Sequence, residues 1–384
     1  MQLKIKVSRT MDLESLGGQA IENSILRIPE KYREINRLSL GQFIGLRRRN
    51  GEIVTFQVVE AFVEDLYKDS NCAYVTTETH NDIFMVNRYV PYVEHISGIT
   101  LGCDPESFLV DRINGRIVGA HRIIARKQGS VGHDGMLLEL RPSPSEDPWQ
   151  VVKNIAGLVP KARQLINMKS EPNRLAIVAG SSYNNVTAGF HLHFGIPKAL
   201  LGFNKRVDRV ARLMTRVFDY YVGIPSIIPE GDYDILRRTA PYMDYGKPGG
   251  FRLDLTTFEF RLPGGINMKS PELAHGLISL GLVVAEDVVS RISKCTNRLT
   301  DLEEIMSEND IKELYPNLPS ANDFYPIICN PKIDMAKRHM KTIVNDVRNM
   351  IGYERNATVV EKYFNIVDHN EHISNDVEFQ WRNV

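Results

Sequence analysis

The sequence predicts an α+β protein, and three observations support this fold class. Short segments that alternate apolar and polar residues, as half-buried strands do, recur up to about residue 262. Asp147-Pro148 and Ser270-Pro271 each place an N-cap residue and a proline before a long apolar segment, which indicates a helix start. From about residue 296 onward the pattern is helix and loop.

The pattern also divides the chain. Its 384 residues are enough for about two or three domains. We expect a small β-rich N-terminal domain over residues 1–97, a core domain over 98–293 and a mainly helical C-terminal extension over 294–384.

Composition excludes several classes of partner. The chain has 47 basic and 47 acidic residues, so bulk charge gives no reason to expect nucleic acid or a membrane surface as a partner. The longest apolar run, near Gly276–Ala285, is judged too short to span a bilayer. The N-terminus lacks the apolar stretch of a secretory signal, and the four cysteines are scattered without a CxxC pair. We therefore expect a cytoplasmic protein.

The N-terminal domain is expected to contain a β-hairpin but no chemistry. Gln42–Arg48 and Ile53–Val63 flank Asn50-Gly51, a dipeptide that favours a type I′ turn.

Four later strands carry charged or imidazole groups on one face. In Ile99–Leu109, Asp104 and Glu106 are two apart and share a face, while Pro105 suggests an edge or a strand end. Two carboxylates on one face repel each other unless a cation lies between them. A plain acidic surface turn is the alternative.

The second and third of these four strands add a carboxylate and two imidazoles. Glu139 and Arg141 share a face of Met136–Arg141, although a surface ion pair would show the same spacing. A helix is expected from Asp147 to about residue 168, followed by a buried strand over 175–179 and a polar loop over 180–187. In the next strand, over 190–195, His191 and His193 share a face opposite two phenylalanines, which suits a metal or phosphate site or a pair of surface histidines.

The last strand follows a helix over 205–222 and a polar stretch that contains Arg237 and Arg238. In Leu253–Leu262, Glu259 and Arg261 share a face. A long apolar helix over 270–292 and further helices complete the chain, and the polar residues from about Asn370 are expected to fray.

If these strands are neighbours in one sheet, its polar face carries four carboxylates, two histidines and the arginines Arg141 and Arg261. Burying so many acids without counter-ions would be prohibitive. Mg²⁺ prefers carboxylates together with substrate phosphates, and arginines clamp phosphates. The residues therefore point to metal-assisted phosphoryl transfer from a nucleotide held without a P-loop.

These residues also carry a resemblance to the glutamine synthetase-like carboxylate–amine ligases, and within them to the phage-encoded COOH-NH2 ligase family. The matching phrases run in order over about residues 99–291: Gly102-x-Asp104-Pro105-Glu106, Gly132-x-Asp134-Gly135, Glu139-x-Arg141-Pro142, Gly189-x-His191-x-His193-x-Gly195, Asp244-Tyr245-Gly246, Arg252 and Glu259-x-Arg261.

The resemblance implies a curved antiparallel sheet backed by helices that binds ATP and two or more Mg²⁺ ions. ATP would phosphorylate a small-molecule or peptide carboxylate, and an amine would attack the acyl phosphate to give an amide or isopeptide bond. Oligomeric state stays open. By motif position the implied metal ligands are Asp104, Glu106, Glu139, His191 and Glu259. The implied nucleotide contacts are His193, Arg252, Arg261 and either Arg237 or Arg238, with Arg252, Arg261 and Glu139 in catalysis.

Two other functions remain open at this stage. Guanidino kinases share the core fold, so a phosphotransferase is one alternative. A structural protein that retains a ligase fold is the other. Arg237 and Arg238 are equally consistent with ordinary solvated residues.

Overall fold

The computed structural model describes most of the chain after residue 98 and parts of the chain before it. The described residues are 3–8, 25–36, 38, 40, 43–47, 53–61, 72–77, 80, 89–90, 93–95, 99–124, 129–195, 205–239, 245–253, 257–295, 308–369 and 373–384. They form a mixed α+β protein with two seven-stranded sheets.

The chain divides into two compact units. The first comprises residues 1–98, 196–211 and 289–314, and the second comprises 99–195, 212–288 and 315–384. The residues assigned by sequence to a C-terminal extension are therefore shared between both units.

The first unit contains a mixed sheet of order β6-β1-β5-β2-β4-β3-β7. Its elements are β1 Leu3–Val7, β2 Ile25–Ile28, α1 Glu30–Asn36, β3 Phe43–Arg47, β4 Ile53–Glu60, β5 Ala73–Val75, β6 Tyr89–Val90 and β7 Val93–His95. The antiparallel pairing of β3 with β4 confirms the predicted hairpin strands, whereas Asn50-Gly51 lies outside the described residues. Ile5, Ile28, Ile44 and Phe56 lie in its apolar core.

The second unit contains an entirely antiparallel sheet of order β15-β16-β14-β8-β10-β9, with β11 also paired to β8. Its strands are β8 Thr100–Asp111, β9 Val131–Asp134, β10 Leu137–Leu140, β11 Leu175–Val178, β14 Phe190–Gly195, β15 Phe251–Leu253 and β16 Phe258–Phe260, and the separate hairpin strands are β12 Ser182–Tyr183 and β13 Val186–Thr187.

The described α-helices after residue 98 are α2 Pro148–Asn167, α3 Lys205–Phe218, α4 Ile224–Ile227, α5 Leu236–Thr239, α6 Pro271–Cys295, α7 Glu308–Leu314, α8 Ala321–Cys329, α9 Ile333–Val347, α10 Tyr353–His369 and α11 Val377–Trp381. A π-helical turn, Asp219–Gly223, continues α3, and short 3₁₀ turns lie at Ala120–Arg122, Asp232–Ile235 and Gly265–Lys269. As predicted, Asp147 caps α2 by accepting the N–H of Trp149.

Helices cover the apolar face of the second sheet. The ring of Phe218 packs edge-on against Phe194, Phe258 and Phe260, with centroids 5.0 to 5.8 Å apart. Gly281 of α6 lies so close to the strand that a Cβ there would be 3.0 Å from the Phe194 ring. The strands therefore bury their aromatic residues under helices, which leaves their polar side chains on the other face.

Helix α6 lies where the sequence predicted it, but its apolar segment is longer than the run near Gly276–Ala285. Pro271–Arg291 has the length and composition of a membrane-spanning helix, which corrects the expectation that the apolar run is too short. Of that window 89% is buried inside the protein. Its apolar residues are therefore accounted for by packing within the protein, as in the core helices of other proteins.

Pro105 lies inside a paired strand, and this corrects the prediction of an edge or a strand end. β8 pairs with β14 through Pro105 and with β10 from Glu106 onward. The Leu101 N–H points to Ser145 on the β10 side and the Glu106 N–H points to Gly189 on the β14 side. Position 105 therefore faces the β10 side, before that ladder begins, where no N–H is needed.

Two further predictions of secondary structure were wrong. The segment Leu253–Leu262 is not one strand, because β15 and β16 pair with each other. The apolar alternation changes phase between Phe251 and Phe258, and the two rings stack on the same face at 6.1 Å.

The second concerns residues 180–187, which were predicted to form a polar loop. They contain the hairpin β12–β13. Its tip residues Asn184 and Asn185 have φ of 45° and 65°, a conformation that asparagine tolerates in tight hairpin turns.

The C-terminal residues pack against the core, which corrects the expectation that the chain frays from about Asn370. Residues 370–372 lie outside the described part, but α11 follows with Asp376 as its N-cap. Trp381 is 3% exposed and donates its indole N–H to the carbonyl of Met268 at 2.9 Å. One buried tryptophan thus fixes a segment whose composition is otherwise polar.

We expect Trp381→Ala to lower the free energy of unfolding by about 3–5 kcal/mol, because it empties a buried aromatic site and leaves a carbonyl without its donor. Phe379→Ala in the same helix removes a ring that is 58% exposed, and its effect should stay below about 1 kcal/mol. Urea unfolding followed by tryptophan-independent circular dichroism measures both. Equal effects would contradict the docking of α11.

Candidate functional site

Polar residues from four separate strands lie on one face of the second sheet. His191 of β14 is opposite Asp104 of β8. On the other side of β14, His193 is opposite Glu259 of β16, and Arg252 of β15 is opposite Glu259 in turn. The neighbouring strands that the sequence analysis required are therefore present.

Asp104, His191 and Glu259 form a group of potential metal ligands. Among the described residues, one ligand atom from each lies within 4.8 Å of the other two. Nδ1 of His191 is 3.3 Å from Asp104 Oδ1 and 3.5 Å from Glu259 Oε1. The Glu259 side chain is only 2% exposed, so this charge is withdrawn from bulk water.

The oxygens of this group fit a cation. Asp104 Oδ1 and both carboxylate oxygens of Glu259 are buried and accept no hydrogen bond of good geometry from the described residues, although His191, Arg252 and Arg261 lie within 3.5 Å of them. Buried carboxylate oxygens with such poorly aligned donors are destabilising, and a divalent cation bound by oxygen and nitrogen ligands relieves that penalty. Two carboxylates and one imidazole therefore suit a divalent metal ion.

The two ring nitrogens of His191 face different partners. Nδ1 faces the two carboxylates, whereas Nε2 lies 3.5 Å from Nη2 of Arg237. A guanidinium at Nε2 favours the tautomer with its hydrogen on Nδ1, while a cation bound at Nδ1 requires the hydrogen on Nε2. If Nδ1 of His191 bound a metal ion, Arg237 would therefore have to move away from Nε2.

The two histidines and Asp104 determine one another's charge. Burial acts to raise the pKa of Asp104, but His191 and His193 outweigh burial and hold that pKa well below its usual value. Burial acts to lower the pKa of His193, and Asp104, 3.3 Å from its Nε2, raises it above its usual value. Asp104 is therefore ionised at neutral pH, and His193 keeps its proton to a higher pH than an ordinary histidine does.

Glu106 and Glu139 are two further carboxylates on neighbouring strands, in addition to the group formed by Asp104, His191 and Glu259. They are directly opposite in the pairing of β8 with β10 and are 6% and 7% exposed. The N–H of Gly189 donates to Glu106 Oε2 at 2.5 Å, and Arg141 forms an ion pair with Glu139. Burial raises the pKa of Glu106. The structure thus places the five predicted metal ligands in a group of three and a group of two.

Two arginines meet at Glu259. Arg252 Nε lies 2.5 Å from Glu259 Oε2, and Arg261 Nε lies 3.1 Å from Oε1. The Arg252 side chain is 56% exposed and that of Arg261 is 20% exposed, so both cations face the open side of the sheet. The same carboxylate is thus shared between potential metal ligands and potential phosphate contacts.

Arg237 and Arg238 are each 1% exposed, which rules out the solvated alternative. Arg238 donates to Glu230 and to the carbonyls of Gly246 and Leu262. Arg237 has a buried Nε without a hydrogen-bond partner among the described residues. Burial and then the charge of Arg238 lower the pKa of Arg237 to about 10. Of the two, Arg237 retains the donor capacity that a phosphate clamp needs.

The glycine of the Gly-x-His-x-His phrase has a steric reason. A Cβ at Gly189 would lie 2.3 Å from Nε2 of His191 and 2.8 Å from Nη2 of Arg237. Only glycine lets the backbone donate to Glu106 while both side chains stay beside it.

Tyr245 belongs to one of the motifs that carry the family resemblance, but the sequence does not predict a role for it. Its ring covers Arg261, with the guanidinium carbon 3.9 Å from the ring centroid. The ring also stacks at 6.3 Å and 23° on His191. No periodic signal marks this residue, because it lies in a turn rather than in a strand.

The turn that carries Tyr245 is anchored on buried groups. Arg238 Nη1 donates to the carbonyl of Gly246 at 2.5 Å, and the N–H of Gly249 donates to Asp219 at 2.7 Å. Burial raises the pKa of Asp219 to about 8, and hydrogen bonds offset only part of that rise. Asp219 is therefore mostly protonated in the folded protein at neutral pH.

Comparisons with known proteins bear on the same region. The model of a family described as "Phage phiEco32-like COOH.NH2 ligase-type 2" matches residues 101–382, which is most of the chain. No curated protein sequence matches. A solved bifunctional glutathione synthetase from Pasteurella multocida is similar with 13% identity and a TM-score of 0.35. That alignment covers 72% of this chain and 56% of the synthetase, so the chain spans about half of that protein's length.

We expect the contribution of Asp219 to stability to fall as pH rises from about 4 to about 8. The unfolded Asp219 loses its proton near its ordinary pKa of about 4, whereas the folded carboxyl keeps its proton up to about pH 8. Between these pH values the unfolded state binds fewer protons than the folded state, so the free energy of unfolding falls as pH rises. Asp219→Asn should lack this decrease. Melting temperatures across this pH range measure it.

The exposed Asp368→Asn serves as the control and should keep the slope of the wild type. An unchanged slope in Asp219→Asn would contradict the assignment of a neutral carboxyl to this position.

Proposed function

The chain belongs to the phage phiEco32-like COOH.NH2 ligase-type 2 family, and we propose that it joins a carboxylate to an amine at the expense of ATP. The proposed product is an amide or isopeptide bond, formed through an acyl phosphate. Membership of a carboxylate–amine ligase family supports the overall reaction. The use of ATP and Mg²⁺ is inferred from the chemistry of the site, and the acyl phosphate is what the resemblance to the glutamine synthetase-like ligases implies.

One observation carries the proposal. Glu259 contacts His191 of the three-ligand group and both Arg252 and Arg261. A site for a metal–polyphosphate complex needs this combination, because carboxylates take the cation and guanidinium groups take the phosphate oxygens.

In this proposal Asp104, His191 and Glu259 would hold one Mg²⁺, and Glu106 and Glu139 would hold a second. The ions would supply charge neutralisation at the phosphates. His193 and Arg237 would contact phosphate oxygens as hydrogen-bond donors. Arg238 would hold the site's backbone in place through Glu230.

In this proposal Arg252 and Arg261 are the catalytic residues. Phosphoryl transfer to a carboxylate spreads negative charge over the oxygens of the transferred group, and arginines that are already in position stabilise it. The amine would then attack the acyl carbon, the phosphate would leave with the electrons of the C–O bond, and the nitrogen would lose a proton to the released phosphate or to water. Glu139, which forms an ion pair with Arg141, would keep the acyl-phosphate side of the site charged and ordered.

The remaining features are proposals of the same kind. The antiparallel sheet with helices on its apolar face is consistent with a glutamine synthetase-like core over residues 98–293. A cytoplasmic location follows from the need for ATP, and the carboxylate and amine substrates are small molecules or peptides.

Alanine at His191 should weaken the binding of Mn²⁺, a spectroscopic substitute for Mg²⁺, by at least about 100-fold, since a direct ligand is lost. Turnover of ATP should fall with it. The exposed Glu171→Gln changes a carboxylate outside the site and should leave both unchanged. Electron paramagnetic resonance of Mn²⁺ measures the binding, and wild-type affinity in His191→Ala would refute this metal assignment.

Cation and nucleotide should bind with positive coupling. A cation at Glu259 takes over the charge that Arg252 and Arg261 now neutralise, and these arginines become donors for phosphates. We expect a non-hydrolysable ATP analogue to bind at least about 10-fold more tightly with Mg²⁺ than in EDTA. Glu259→Gln should reduce that difference, and isothermal titration calorimetry measures it. An equal ratio in both proteins would contradict the exchange of partners at Glu259.

Mass spectrometry of a cell lysate incubated with the protein and ATP tests the reaction itself. A ligase gives new species that equal two lysate components minus one water. Phosphorylated products without condensation would favour the phosphotransferase instead. No ATP-dependent change with the wild-type protein would support the non-catalytic alternative.

A further inference from the structure

Tyr245 covers one face of Arg261 without using its own hydroxyl. The ring centroid is 3.9 Å from the guanidinium carbon of Arg261. The Tyr245 hydroxyl makes no hydrogen bond to the described residues, and the residue is 39% exposed. The contact therefore depends on the aromatic ring, which attracts a cation by its negative face.

Buried groups dictate where the ring lies. The next residue, Gly246, has φ of +72°, and a Cβ there would be 2.7 Å from Arg237 Cγ. Its carbonyl accepts from Arg238, which also donates to the buried Glu230 and to the carbonyl of Leu262. The turn is thus seated on an arginine–carboxylate pair that has no exposure to solvent.

The far end of the same turn is also fixed. Gly249 donates its N–H to the buried Asp219 at 2.7 Å. The Arg261 N–H faces the carbonyl of Gly250 at 3.4 Å, which links the turn to the residue that its ring covers. The placement of Tyr245 over Arg261 is therefore a property of the fold rather than of a freely moving loop.

The ring leaves Arg261 a restricted set of directions. Its Nε faces Glu259 at 3.1 Å, and one face of the guanidinium lies against Tyr245. Its two Nη groups make no hydrogen bond to the described residues. A guanidinium donates in its own plane, so these groups can serve only a ligand at the edge of the plane.

We propose that Tyr245 is a positioning residue that holds the guanidinium plane of Arg261 toward an anionic group of the substrate. The positioning itself is independent of the proposed function. The identity of the anion, a phosphate oxygen, rests on that function.

Nuclear magnetic resonance tests the positioning without any ligand. The Nε–H signal of Arg261, assigned with Arg261→Lys, should carry a ring-current shift from Tyr245. Tyr245→Phe should keep that shift, and Tyr245→Leu should abolish it. The control Tyr353→Leu removes a tyrosine beside the surface pair Arg348–Glu361 and should leave the signal unchanged. An identical Arg261 signal in wild type and Tyr245→Leu would overturn the proposal.

A double-mutant cycle tests the consequence for binding. Tyr245→Leu should weaken Mg²⁺–nucleotide analogue binding by about 5-fold, which corresponds to about 1 kcal/mol of cation–π attraction, and Tyr245→Phe should restore it. In an Arg261→Met background the same substitution should have no effect, because its target is gone.

The two measurements separate the possible failures. If the wild-type protein binds no nucleotide, the proposed function fails, while the resonance experiment still decides whether Tyr245 positions Arg261. A 5-fold loss that persists in Arg261→Met would show that Tyr245 acts without Arg261, and this would overturn the proposal.

Discussion

Glu259 is the carboxylate on which the arrangement of the polar face depends. It is 2% exposed, and His191, Arg252 and Arg261 all lie within 3.5 Å of its oxygens. A buried carboxylate is unfavourable unless cations match its charge, and here the neighbouring cations supply that match. None of them, however, makes a well-formed hydrogen bond to Glu259. The pairing of β14 with β16 and of β16 with β15 therefore creates a site at which cations must compete for one anion.

A second layer of buried polar residues supports this face from below. Arg238 and Glu230 form an ion pair that holds the carbonyls of Gly246 and Leu262, and Asp219 holds the N–H of Gly249. These contacts convert an irregular turn into a fixed element beside the strands. Because breaking a buried pair leaves an uncompensated charge, the turn has no inexpensive alternative position.

The alternation of side chains in strands explains how much was predictable. A period of two assigns Asp104 with Glu106, His191 with His193, and Glu259 with Arg261 to one face, and the structure places them there. Strand order does not follow from periodicity. It was predictable only because the carboxylates of these strands need histidines, arginines or a cation beside them once they are buried. The change of phase between Phe251 and Phe258 is visible in the sequence and marks the break between β15 and β16.

Other features had no local signal. The burial of Arg237 and Arg238 depends on α5 packing under the turn, and charged residues in a polar stretch normally indicate solvent exposure. Tyr245 acts through a turn, and Trp381 anchors a segment whose average composition is polar. Each of these depends on contacts between residues far apart in sequence, which no window of residues reports.

The most direct measurement is anomalous diffraction from crystals soaked with Mn²⁺ and a non-hydrolysable ATP analogue. We expect a manganese peak within bonding distance of Asp104, His191 and Glu259, with Arg252 and Arg261 donating to the phosphates. A manganese peak elsewhere, or a nucleotide whose phosphates contact neither arginine, would contradict the account.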